Sequence, residues 1–96
     1  MHQDIKLTYL KKAKKFLDKN KNIITENEVD ELVIKFIKKQ FFNLDMNIDC
    51  RQMQGVLQNY YRIRKGNIRI IVQANNNEII IEAIIENIGF RGDIYK

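Results

Sequence analysis

The chain has 96 residues, 45% of them hydrophobic and 30% charged, with a net charge of +5. That length fits one domain with one modest core, and the basic balance favours an anionic partner, whether nucleic acid, an acidic protein or a membrane surface. The single cysteine, Cys50, excludes an intrachain disulfide or a zinc cluster and points to a reducing cytoplasm, while no apolar run has signal-peptide or membrane-spanning length.

In chain order, Asp4 to Thr8 alternates Ile5 and Leu7 with polar neighbours, the pattern of a short strand. A helix follows over Tyr9 to Asn20. Leu10, Ala13, Phe16 and Leu17 fall on one face, and Lys11, Lys12, Lys14, Lys15 and Lys19 on the other. Lys11, Lys12 and Lys15 are candidates for contact with nucleic-acid phosphates, against the alternative of a solvated face. Asn20, Lys21 and Asn22 end this helix.

The second helix is expected over 26–41. Thr25 and Glu28 form a capping-box pattern, and Val29, Leu32, Val33, Phe36 and Ile37 repeat at helical spacing. Acidic residues crowd its start and lysines its end, as the helix dipole favours. Three segments rich in Ile, Val and Tyr then read as strands, at about 55–64, 68–74 and 78–86. Gly66-Asn67 is a two-residue hairpin dipeptide, and Asn75 to Asn77 suits a short turn. The order is β-α-α-β-β-β, a single domain over 1–96. The three final strands form an antiparallel meander with the helices over one face.

The hairpin carries the chemistry. With Gly66-Asn67 as the loop, Lys65 pairs with Ile68, Arg64 with Arg69, Ile63 with Ile70 and Arg62 with Ile71. Alternation sends Tyr61, Ile63, Ile68, Ile70 and Val72 to one side, and Tyr60, Arg62, Arg64, Arg69, Ile71 and Gln73 to the other. Arg64 opposite Arg69 is unfavourable unless an anion or an acidic partner meets it. From Arg51 to Asn77 there is no Asp or Glu. The planar fork of arginine suits phosphate, so this face reads as a phosphate clamp. Glu82 and Glu86 are the acids that would turn it into a structural salt-bridge net. The terminal Ile88 to Lys96 adds Arg91, Tyr95 and Lys96, with Tyr95 suited to stacking on a base. Cys50 lacks a histidine partner and reads as a structural thiol. Met46 and Met53 read as packing before the sheet. His2, the only histidine, has no part in this scheme.

Nearly the whole chain resembles the RelE/ParE superfamily, the toxins of type II toxin–antitoxin pairs. The "MQGVLQNYYRIRKGNIRII" segment looks like the family's "L-x-G … Y-R-L-R-x-G-x-Y-R-I", and "IGFRGDIYK" is similar to its terminal "x-R-x-x-V-Y". The resemblance implies an α+β fold, with two N-terminal helices packed on a twisted antiparallel sheet of about four strands. It implies a cytoplasmic endoribonuclease that cuts mRNA in the ribosomal A site by attack of the ribose 2′-hydroxyl, without metal or other cofactor, and that is silenced by a cognate antitoxin. By the family's motifs, Arg62, Arg64, Arg69, Arg91 and Tyr95 are the catalytic candidates, with Tyr60, Lys65 and Lys96 beside them on RNA. Several ribonuclease members carry a histidine just before the terminal arginine, where this chain has Phe90. Arginine cannot act as a base, so proton transfer falls to Tyr95, Lys65 or Lys96. The departure keeps two alternatives open: a ParE-like toxin that inhibits DNA gyrase by binding, and an inactive homologue that only binds its antitoxin.

Overall fold

A computed structural model describes residues 4–55, 59–77 and 79–94. Its elements are β1 (Asp4–Tyr9), α1 (Lys11–Lys19), α2 (Glu26–Phe41), β2 (Asp49–Gln52), β3 (Tyr60–Lys65), β4 (Ile68–Asn76) and β5 (Ile80–Phe90). They form one sheet of five strands in the order β1-β5-β4-β3-β2. The strands β2 to β5 are antiparallel to their neighbours, and β1 runs parallel to β5. The fold class is as expected, α+β with both helices before the hairpins. The sheet differs in two ways: it is mixed, and it has a fifth strand. The first and last strands meet in it, because β1 pairs with β5.

The extra strand is β2. Its sequence is Asp-Cys-Arg-Gln, with only Cys50 to pack inward. An edge strand needs few apolar residues, and charged ones protect its open side. Two other boundaries move for visible reasons. Gly55 and Asn59 have φ of 104° and 66°, a left-handed conformation that interrupts a strand, so β3 starts at Tyr60. Near the other end, Ile71 pairs with Asn87 but Val72 pairs with Ile85. Glu86 is therefore the extra residue of a bulge, which resets the alternation and lets β5 continue to Phe90. The turn before β5 is closed by Asn77, whose Oδ1 accepts from the amides of Ile79 and Ile80 at 2.9 and 2.7 Å.

α2 begins at its capping box. Thr25 Oγ1 accepts from the Glu28 amide, and Glu28 Oε1 accepts from the Thr25 amide, each at 3.2 Å. Its apolar stripe, Val29, Val33, Phe36 and Ile37, is fully buried. Together with Ala13 and Leu17 of α1 it covers Tyr61, Ile63, Ile70, Val72, Ile81, Ala83 and Ile85 of the sheet. Phe36 sits centrally, 4.8 Å from the Tyr61 ring and 6.1 Å from Phe41. Tyr9 ties the end of β1 to α2, donating to Asp30 Oδ1 at 2.6 Å. Burial first, and then that bond, hold its phenol well above the ordinary tyrosine range. Among the described residues, no helix is long and apolar enough to cross a membrane.

Candidate anion-binding face

The β3–β4 hairpin has the expected register. Lys65 faces Ile68, Arg64 faces Arg69, Ile63 faces Ile70, Arg62 faces Ile71, and Tyr60 faces Gln73. Gly66 supplies the left-handed turn residue, with φ of 57°. Tyr61, Ile63, Ile68, Ile70 and Val72 join the helix-side core. By alternation Tyr60, Arg62, Arg64, Arg69, Ile71 and Gln73 stand on the opposite face. Ile71 is buried yet lies outside that core. Arg62 is its partner across the strands, and arginine stems cover apolar surface well.

The Arg64–Arg69 pair is stabilised from within the molecule. Asp49 stands opposite Arg64 in the β2–β3 register. Its Oδ2 accepts from Arg64 Nε at 2.7 Å and lies 2.6 Å from Nη2. The hydrogen bond from Arg64 holds the Asp49 carboxyl below the usual carboxylate range, helped by the charges of Arg64, Arg62 and Arg51. Arg69 is only 8% exposed. Its Nη1 donates to the carbonyls of Gly66 at 2.8 Å and Ile68 at 3.0 Å, so it also braces its own turn. The window from Arg51 to Asn77 contains no acid, but the acid arrives from the neighbouring strand.

β2 brings a second residue to this face. Arg51 stands directly opposite Arg62. On β2 to β4 the face therefore holds four arginines, Arg51, Arg62, Arg64 and Arg69, and one carboxylate, Asp49; Glu82 stands on the same face farther off, on β5. Sequence reasoning missed both β2 residues. The available signal was the alternation of Asp49 and Arg51 about Cys50, too short to stand out as a strand. Beside Arg51 and Arg62 lies a cavity of about 370 Å³, completed by Gln52, Met53 and Gln54.

The other candidates are spread around this face. Tyr60 is half-buried on it, next in line to Arg62. Lys65 is exposed at the hairpin tip, on the helix side by alternation. Arg91 is exposed in the turn after β5, and its amide donates to the Asn67 carbonyl at 2.8 Å. That bond ties the terminal turn to the hairpin tip. Ile94 is buried and packs over Gly89, where a Cβ would come within 3.1 Å of its Cδ1. Gly89 is the register partner of Arg69, so the turn lies beside the arginine pair. Tyr95, Lys96 and His2 fall outside the described residues. Lys11, Lys12 and Lys15 belong to α1, which packs on the helix side against β5. Lys12 lines a separate groove with Phe16, Asn87 and Ile94.

Of the two acids of β5 named above, Glu82 turns toward β1. Glu82 lies 3.8 Å from Lys6 and accepts a long hydrogen bond from Thr8 at 3.5 Å, on the β1 side of the sheet. Glu86 is the bulge residue. Phe90 meets the ring of Phe16 on α1 at 5.2 Å, edge to face. The position that bears a histidine in several ribonucleases thus points here into the helix layer, away from the arginines. Burial raises the Cys50 thiol pKa, as befits a packing role. Met46 packs against the core, and Met53 lines the cavity. Among the described residues, no three His, Cys, Asp or Glu side chains group so as to hold a metal ion.

No family model and no curated protein match the chain. Solved structures do. A copper-bound mutant toxin from Helicobacter pylori aligns with a TM-score of 0.67 at 19% identity, over 92% of this chain and 96% of that one. YafQ of Escherichia coli, in its complex with DinJ, aligns with a TM-score of 0.65 at 14% identity, over 99% and 100%. A RelB–RelE antitoxin–toxin complex from Methanococcus jannaschii aligns with a TM-score of 0.54 at 22% identity, over 92% and 94%. The fold is that of the RelE-like toxins.

Proposed function

We propose that this protein is the toxin of a type II toxin–antitoxin pair and a ribosome-dependent endoribonuclease that cleaves mRNA in the A site, so blocking translation in the cytoplasm. One observation carries the reading. On a RelE-like fold, Arg51, Arg62, Arg64 and Arg69 share one face of β2 to β4, where Asp49 is the one acidic residue. Such a face suits the negative charge that builds on phosphorus. The ribose 2′-oxygen attacks its own 3′-phosphate, the bond to the 5′-oxygen breaks, and a cyclic phosphate remains. The arginines stabilise the phosphorane, and losing one such donor typically costs roughly 10²–10³ in rate. Tyr95, Lys65 and Lys96 are assigned the proton transfers, with the ribosome supplying alignment. Similar structures include a RelB–RelE antitoxin–toxin complex and a DinJ–YafQ toxin–antitoxin complex, which supports a cognate antitoxin as partner.

A second reading is a ParE-like toxin that binds DNA gyrase. Two observations favour it: the guanidinium of Arg69 is engaged with its turn carbonyls, and Phe90 faces α1. Toeprinting of mRNA on translating ribosomes separates the two, using the wild type, Arg62→Ala and Arg69→Ala. New cuts at A-site codons that disappear in the variants are expected. Intact mRNA, with supercoiling by gyrase inhibited, would establish the second reading instead.

A further inference from the structure

On the helix side of the sheet, away from the arginines, the packed layer thins toward the end of β4. Beyond Val72 that side carries Ala74, whose register partner on β5 is Ala83. Both are buried, and two methyl groups fill less of the layer than the isoleucines and valines before them. What is left is a recess of about 260 Å³, walled by Phe41, Tyr61 and Ala74 and rimmed by Asn59, Asn75 and Asn76. Among the described residues no charged side chain lines it, which sets it apart in a chain of net charge +5.

Tyr61 gives this recess a polar interior. It is only 6% exposed, and its ring lies 4.8 Å from Phe36 and 6.2 Å from Phe41. A buried tyrosine hydroxyl usually finds a hydrogen-bond partner. Among the described residues, that of Tyr61 has none, and neither have the side-chain amides of Asn59 and Asn75. Asn59 is nevertheless fixed by its backbone, since its carbonyl accepts from the Ala74 amide at 2.9 Å. A hydroxyl and two carboxamides thus surround an aromatic-walled space with their hydrogen bonds unused.

We propose that the recess binds the base of a free, adenosine-like purine nucleoside. Its volume falls just below the range of drug-sized sites and suits one fused ring system. Phe41 is half-buried, so part of its ring is open to stacking, which any nucleobase accepts. An asparagine carboxamide donates and accepts at the spacing of the adenine N7 and 6-amino group. The Tyr61 hydroxyl adds a donor for a ring nitrogen. The neutral lining offers phosphate no counter-charge. By strand alternation Tyr61 and Arg62 point to opposite sides of the sheet, so the sheet stands between this recess and the arginines. These two facts favour a free nucleoside over a base held within an RNA strand. The proposal is independent of the ribonuclease reading.

The test is NMR titration of the whole protein with adenosine, read at the signals of Asn59, Tyr61, Ala74 and Asn75. These are expected to shift, with an affinity that does not change with salt, because the ligand is uncharged. Tyr61→Phe keeps the ring and its packing and should weaken binding about tenfold, as should Asn75→Ala and the replacement of adenosine by inosine, which lacks the amino group. Adenosine monophosphate and the trinucleotide ApApA separate the sources of the base. Neither should shift these signals at lower concentration of base than adenosine does. No shift at saturating adenosine, or equal affinity for adenosine, inosine and cytidine, would overturn the proposal. So would a trinucleotide that fills the recess far more tightly than adenosine, since the recess would then belong to a path for RNA. The ribonuclease reading fails separately. Adenosine seated at Tyr61 while ribosomal mRNA stays whole leaves the recess standing and removes that reading, and cutting of mRNA without these shifts does the reverse.

Discussion

Asp49 and Arg64 face each other across β2 and β3, and one carboxylate oxygen lies 2.7 Å from Nε and 2.6 Å from Nη2 of the arginine. The contact relieves the clash between Arg64 and Arg69 and spends part of the face's charge. An RNA phosphate that takes Arg64 must compete with this internal anion. Asp49 is thus a brake on anion binding as well as a strand clip.

Asp49→Asn should release that brake. The four arginines of β2 to β4 would then have no acid on their own strands. Single-stranded RNA is expected to bind more tightly at low salt, with the slope of log affinity against log salt steeper by about 0.7 as Arg64 joins the contacts. Fluorescence anisotropy over a salt series measures this. The pH dependence has a definite sign. The folded pKa of Asp49 lies below its ordinary 3.8, so the clip is in force above that value and is lost as pH falls through the depressed one. At neutral pH the wild type keeps the shallower slope.

How much of this was legible in the sequence depended on apolar pattern. α2 was readable to its ends, because the capping box and a full apolar stripe agree on them. The hairpin register was readable because Gly66-Asn67 leaves one way to pair Arg64 with Arg69. β2 was not, since an edge strand of four residues with one inward side chain gives no periodic signal. The parallel pairing of β1 with β5 depends on tertiary contacts across 70-odd residues of sequence, about which local pattern says nothing. The site followed the same rule: Arg62, Arg64 and Arg69 were visible on the hairpin, while Asp49 and Arg51 needed β2.

Tyr9→Phe should loosen the clasp between β1 and α2. It removes a 2.6 Å bond to Asp30 and leaves that carboxylate without its phenol donor. A hydrogen bond to a charged group is worth about 1.5 kcal/mol or somewhat more, and chemical denaturation should find a loss of that order. Alkali provides an independent check. The folded pKa of Tyr9 is raised above its ordinary 10.0, so its contribution is whole below that value and erodes as pH climbs past it. Above pH 10.0 the wild type should lose stability faster than the phenylalanine variant. Parallel curves would remove Tyr9 from the account.

Thr25→Ala breaks the capping box at the start of α2. The Glu28 amide loses its acceptor at 3.2 Å, and an alanine cap typically costs about 1 kcal/mol. α2 buries Val29, Val33, Phe36 and Ile37 in the helix-side core, so the loss should appear as a lower midpoint for the whole domain and not as local fraying. Thr25→Ser keeps the hydroxyl and should recover most of it. Denaturant midpoints of the three proteins decide this.

Arg69 bears on both stability and activity, and the two have to be measured together. Arg69→Ala removes the donor for the Gly66 and Ile68 carbonyls, a loss of about 1–3 kcal/mol where such groups are shielded from water. It also removes a like charge opposite Arg64, which returns less than about 1 kcal/mol. The bracing should win, and a net loss near 1 kcal/mol lowers the melting temperature of a domain this size by about 4–8 °C. A calorimetric scan reads it directly. A variant as stable as the wild type would mean that the carbonyl bonds do not brace the turn and that the guanidinium is available to a phosphate. In that case a loss of ribosomal cutting in Arg69→Ala would report on phosphate contact alone. With the expected drop in melting temperature, the assay has to be run well below the variant's transition for the same conclusion to hold.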